Sequence, residues 1–242
     1  MAGRCCEAFL EGLGKGVVAL SELPPPIREA EFSAVNTVDE AKIRARFFPL
    51  VQEFHSFLNQ ASCVRDLQEI RRNWKVRVAD QAFGTFATEP RHWYTYNHGG
   101  RNEAQFNIGL FPKYLRIGLG FEFTLKKGGD PTIVHLTYAQ FTKVVEQDPQ
   151  GFDDLVARNR LEIEWVPEGR GDSTTVPTRN VRRWLRRPSQ TPSWIFVGRL
   201  LRPEKDTRNL EDPTRLRETI ETVFGDLKPI WEQTQMRVVR GV

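Results

Sequence analysis

Between His92 and Phe123 apolar and polar residues alternate with a period of two, and the alternation is interrupted twice by residues that reverse the chain. Gly99-Gly100 supplies the positive φ angles of a tight hairpin turn, and Pro112-Lys113 turns the chain again. With turns at 98–101 and 112–113, Asn107 falls opposite both His92 and Gly118, and Gln105 opposite Tyr94 and Gly120; Glu103 falls opposite Tyr96 and Glu122. The alternate face carries Trp93, Ala104, Phe106, Ile108, Ile117, Leu119, Phe121 and Phe123, a core face. A one-residue slip would move every side chain to the other side, so the agreement of both turns on one apolar face predicts an antiparallel sheet in this register.

The chain of 242 residues is long enough to bury a core without disulfide or metal staples. Pro24-Pro-Pro26 cannot lie inside a helix; it separates residues 1–30, read as an N-terminal appendage, from a single domain over 31–242. Apolar residues from Ile43 to Leu58 recur at helical spacing, with Pro49 as a kink or restart, and a second helix is expected over 64–72. Strands are expected over 74–78, 161–165 and 193–197, helices over 137–147 and 151–158, and a loop rich in Gly, Ser, Thr and Pro over 167–178. A closing helix over 213–235 is marked by Asp212 as N-cap, Pro213 in first position, and a stripe of Leu216, Ile220, Phe224, Leu227 and Trp231. The fold class is therefore α+β: an antiparallel sheet around 74–125 and 161–201, flanked by helices, in a single main domain.

The other face of the predicted sheet presents His92, Tyr94, Tyr96, Glu103, Gln105, Asn107, Arg116 and Glu122 around Gly109, Gly118 and Gly120. Glycine inside strands costs stability and marks close approach by a ligand or another backbone, so Gly118 and Gly120 read as the floor of a binding site. Amides, tyrosines and an arginine above it suit the hydrogen-bonding edge and ring of a base. Glu103 opposite Glu122 places like charges across strands, which calls for a neutralising Arg116, Arg101 or a proton.

Net charge is only +4, but its distribution is uneven: ten Lys or Arg against three acids between Arg170 and Arg208. Arg179, Arg182, Arg183, Arg186 and Arg187 surround Trp184, a mixture suited to phosphates and stacking, with Arg101 as a further phosphate contact. Cys5, Cys6 and Cys63 are an odd count that argues against a secreted disulfide framework and for a cytoplasmic location. The apolar stretch 8–20 is cut by Glu11, Lys15 and three glycines, so it predicts neither a signal peptide nor a membrane span. Gly12-Leu-Gly-Lys-Gly16 lacks the spacing of a phosphate-binding loop, and His55, His92, His98 and His135 have no cysteine pairs at ligand spacing. No metal and no cofactor is expected. Asp153, Asp154, Glu162 and Glu164 faintly resemble a metal nuclease but lack its downstream lysine.

The strings Glu103-Ala-Gln-Phe-Asn-Ile-Gly109 and Leu115-Arg-Ile-Gly-Leu-Gly-Phe-Glu-Phe123 resemble sequence in prokaryotic restriction and anti-phage proteins that act on modified DNA. The resemblance covers residues 90–125 and implies a DNA partner, namely modified phage DNA. Such proteins either read a modified base with a domain attached to a nuclease or process the base directly. With neither nuclease nor motor motif here, the first expectation is a DNA glycosylase excising a modified, cytosine-type base. Glu122 and Glu103 would be its catalytic carboxylates, and His92, Tyr94, Tyr96, Gln105, Asn107, Arg116, Gly118 and Gly120 its base-binding residues. The alternatives are a non-catalytic reader with the same pocket and a binding module unrelated to nucleic acid.

Overall fold

The computed structural model describes residues 23–35, 45, 48–58, 60–64, 68–75, 91–97, 104–111, 113–123, 131–167, 174–176, 181–185 and 192–234. Their strands are β1 (Gln68–Lys75), β2 (Arg91–Asn97), β3 (Gln105–Leu110), β4 (Leu115–Glu122), β5 (Glu162–Pro167), β6 (Thr174–Val176) and β7 (Pro192–Leu201). They form one sheet in the order β1-β2-β3-β4-β7-β5-β6 with every neighbour antiparallel. The helices are α1 (Glu29–Val35), α2 (Phe48–Leu58), α3 (Pro131–Gln147), α4 (Pro149–Asn159), α5 (Val181–Leu185), α6 (Pro203–Glu211) and α7 (Pro213–Thr234). The architecture is α+β, as expected.

The first four strands follow one another as a meander. The chain then leaves through α3 and α4, and β7 returns between β4 and β5. The β3–β4 ladder has the predicted register, Gln105 opposite Gly120 and Asn107 opposite Gly118. Phe106, Ile108, Ile117, Leu119 and Phe121 are buried on one face, which Ile195 and Val197 of β7 extend. The helices pack here because their apolar stripes meet it: Phe121 contacts Tyr138 and Phe141 of α3, and Phe106 contacts Phe224 and Trp231 of α7. Trp231 Nε1 donates to the Ala104 carbonyl at 2.7 Å, tying α7 to the entrance of β3.

Helix ends follow local chemistry. The Asp212 carboxylate accepts the N–H groups of Thr214 and Arg215 at 3.0 and 3.2 Å, the predicted cap of α7. Asp148 caps α4 by accepting Gly151 N–H, Pro149 occupies the first turn, and Arg160 closes the helix in the left-handed region at φ 51°. Pro49 falls in the first turn of α2, where a proline restarts a helix at little cost. Ile27 is buried and its N–H donates to the Leu210 carbonyl at 2.8 Å, so the chain just after the proline run is built into the core beside α6.

Three expectations are corrected. The helix predicted over 64–72 is a short 3-10 turn, Ser62–Val64, followed by β1, which begins at Gln68 and takes in residues 74–75 of the strand expected over 74–78; residues 76–78 lie outside the described residues. Pairing with β2 satisfies that backbone, overriding a weak helical period. The expected loop 167–178 contains β6, and α6 was not anticipated. In the β2–β3 ladder Asn107 faces Thr95 rather than His92, and Tyr94 and Tyr96 face Ile108 and Phe106. That offset of three residues is odd, so it exchanges the alternate sets of β2. A glycine pair permits a tight turn without compelling one, and loop length sets the register.

Candidate functional site

The sheet face away from α3 and α7 is built from β3, β4, β7 and β5. Register aligns Asn107 with Gly118 and Gly198, Arg116 with Leu200, Gly120 with Phe196 and Glu164, and Glu122 with Trp194. The face is polar in composition but not solvated: Gln105, Asn107, Arg116 and Glu164 are all 8% exposed or less.

Their polar atoms are matched in a chain. Arg116 Nε donates to Asn107 Oδ1 at 2.6 Å and Nη1 donates to Glu164 Oε2 at 2.8 Å, while the Tyr114 hydroxyl donates to Glu164 Oε1. Burying a charge is tolerable only when it is paired and hydrogen-bonded, and this arrangement meets both conditions. Three rings enclose the guanidinium, with centroids 4.4 Å away for Phe111, 5.1 Å for Trp194 and 5.2 Å for Phe196. Cation–π attraction strengthens when the cation is desolvated, as here.

The glycines serve this enclosure. A Cβ at Gly118 would stand 2.4 Å from the Val197 carbonyl oxygen and 2.5 Å from Gly198 Cα, so β4 and β7 approach too closely there for a side chain. A Cβ at Gly120 would stand 2.2 Å from Cη2 of Trp194, and one at Gly198 would stand 2.6 Å from Cζ of Phe196. The predicted floor exists, but the protein's own Trp194 and Phe196 lie on it. The space above Gly120 and Gly198 is therefore filled by the protein itself.

Asn107 and Arg116 thus come together as predicted, but bound to each other, with Arg116 also bound to Glu164. Arg116 pairs with Glu164 at 2.8 Å. Glu122 closes β4 in register with Trp194, but its side chain lies outside the described residues, as do those of His92, Tyr94 and Tyr96. Glu103, Arg101, Arg179, Arg186 and Arg187 also lie outside them, as does the Trp184 side chain. Of the arginines on α5, Arg183 is exposed, whereas Arg182 pairs with Asp153 at 2.8 Å and so is partly occupied within the protein. Sequence reading missed Phe111, Tyr114, Glu164, Trp194 and Phe196 as parts of the site. The usable signal was the period-two set Trp194, Phe196, Gly198 within a strand that reads as uniformly apolar.

A second set of charges lies at the other end of β7. Arg199 pairs with Asp206, both buried; Asp206 also accepts the Arg202 backbone N–H at 3.0 Å, and Arg202 makes a two-point contact with Glu162 at 2.6 and 2.9 Å. The Glu162 hydrogen bond raises the Arg202 pKa against the opposing effect of burial. These contacts hold α6 against the sheet. Among the described residues no three His, Cys, Asp or Glu side chains converge as metal ligands, and no helix is long and apolar enough to cross a membrane.

Fold and site together define an α+β protein with helices on one sheet face and, on the other, a buried arginine–carboxylate network capped by aromatic rings. No protein-family model matches the chain, and no curated protein matches it.

Proposed function

We propose that this chain binds DNA carrying a modified, cytosine-type base in the cytoplasm, receives the extruded base at the Trp194 rim of the polar face, and excises it as a glycosylase. The observation that carries this reading is the burial of Gln105, Asn107, Arg116 and Glu164 on a glycine-floored face. An ordinary exposed sheet face leaves such groups in water, whereas a desolvated, prearranged polar surface supports recognition without reorganisation. Glu122, in register with Trp194, supplies the carboxylate: it takes a proton from water as the oxygen bonds to C1′ of the sugar, the bonding electron pair leaves with the base, and the base nitrogen then takes up that proton. Glu103 modulates it, and Arg183 with its arginine neighbours contacts phosphates.

One observation favours a second reading, a non-catalytic reader. Arg116 is engaged with both Asn107 and Glu164, and Trp194 and Phe196 fill the space over the glycines, so fewer groups remain to drive bond cleavage. The deciding experiment incubates the protein with normal and modified phage-type DNA, then treats it with alkali. Strand breaks confined to modified DNA support the glycosylase. Retention of modified DNA without breaks supports the reader, and the absence of both overturns the DNA reading.

A further inference from the structure

Trp194 contributes a ring to the Arg116 enclosure, but its polar atom has no part in it. The indole Nε1–H is buried and meets no acceptor among the described residues. The indole of Trp231, on α7, behaves differently, since its Nε1 donates to the Ala104 carbonyl. A buried tryptophan N–H ordinarily finds a partner, because a donor stripped of water and given nothing in return is destabilising. Trp194 as a whole is only partly buried, so its surroundings open toward solvent.

Its position is also held from several sides. The six-membered ring occupies the space beside Gly120 that any side chain would fill, and the Arg116 guanidinium lies 5.1 Å from the ring. In the ladders Trp194 is flanked by Glu122 on one side and Val166 on the other. A spare donor is thus fixed beside a paired cation and in register with a carboxylate.

We infer that Trp194 is a specificity-determining residue whose Nε1–H donates a hydrogen bond to an oxygen carried by the modified base. This rests on the modified-DNA reading above and narrows it to bases with an oxygen-bearing substituent, of the hydroxymethyl type rather than the methyl type. A methyl group offers no acceptor and leaves the donor unpaired, and a site with an unpaired buried donor discriminates against a ligand that cannot satisfy it.

The test compares three duplexes of one sequence, carrying 5-hydroxymethylcytosine, 5-methylcytosine or cytosine at one position. Wild-type protein is expected to bind the hydroxymethyl duplex about tenfold more tightly than the methyl duplex, the size of one hydrogen bond. Trp194→Phe keeps a ring and removes the N–H, so it should erase that preference. It should also leave thermal stability close to wild type, because no protein acceptor is lost. A full preference in W194F overturns the inference while the modified-DNA reading stands; equal weakening on all three duplexes overturns it in favour of a phosphate contact. No preference of the wild type for either modified duplex over cytosine overturns the reading itself, and the inference with it. An independent measurement on wild type labelled with 15N-tryptophan avoids any folding defect of the variant. One indole N–H resonance should move with the hydroxymethyl duplex and stay in place with the methyl duplex, and a spectrum that responds identically to both contradicts the assignment.

Discussion

At the scale of single residues, Arg116 and Glu164 depend on each other because each is a charge withdrawn from water. Glu164→Ala should cost about 3–5 kcal/mol in denaturant unfolding, since it leaves the guanidinium buried without its counter-charge. Glu164→Gln should cost less, because an amide oxygen still accepts from Arg116. The glycines make a second pair of expectations. Gly118→Ala drives a methyl group into the backbone of β7 and should cost about 1–3 kcal/mol as overpacking. Gly120→Ala meets the Trp194 ring rather than backbone, so it should cost less and change tryptophan fluorescence. Equal losses at the two positions would mean that the Trp194 ring is held as firmly as backbone. Asn107 and Arg116 were legible in the sequence as members of one polar face, whereas Glu164 was not. Forty-eight positions separate Glu164 from Arg116, and only the insertion of β7 between β4 and β5 brings the two together.

At the scale of elements, α7 is the piece most fully written in local sequence: cap, proline and apolar stripe all occur where they were expected. Its attachment to the sheet includes one directional contact, so Trp231→Phe should cost about 1–3 kcal/mol by leaving the Ala104 carbonyl unsatisfied in the core. On the proposed function, the short helix α5 contacts DNA through its arginines. Arg183→Ala should weaken binding to all DNA sequences and reduce the salt dependence by roughly one phosphate contact. Arg182→Ala should do less, because Asp153 already engages that guanidinium. Matching losses in affinity and salt slope for the two variants would show that the Asp153 pair opens on binding. Strand β2 was placed correctly in the chain but in the wrong register. Its alternation holds for either set of faces, so only the length of the connection to β3 decides between them.

At the scale of the whole molecule, burial sets how stability responds to alkaline pH. The Cys63 thiol is pushed up to about 12, chiefly by burial and further by the nearby Glu221 carboxylate, and burial raises the Tyr138 hydroxyl as well. The folded state then keeps a proton that the unfolded chain releases near the ordinary thiol value of 9.0. Such a group contributes its full stability below that value and loses it as pH rises toward the folded value, so stability should fall between pH 9 and about 12. Urea midpoints measured from pH 8 to 11 should decline, and Cys63→Ala should make the decline shallower. An unchanged slope would mean that the thiol is as accessible in the folded protein as in the unfolded chain. For the same reason Cys63 should alkylate slowly at pH 8, where little thiolate is present.

The sequence by itself determined what depends on neighbours a few positions apart. The period-two pattern over residues 104–123 dictated one apolar and one polar face, and the β3–β4 register followed from the short Pro112-Lys113 reversal. The cap and stripe of α7 likewise depend on residues within one or two helical turns. Tertiary structure alone decided what that polar face faces. Trp194 and Phe196 arrive from β7 and Glu164 from β5, strands that follow β4 only after at least two helices, and they convert an apparent open floor into an enclosed arginine site. Periodicity tells which side of a strand a residue occupies; it carries no information about which distant strand is laid beside it, and that choice is made by burial summed over the whole core.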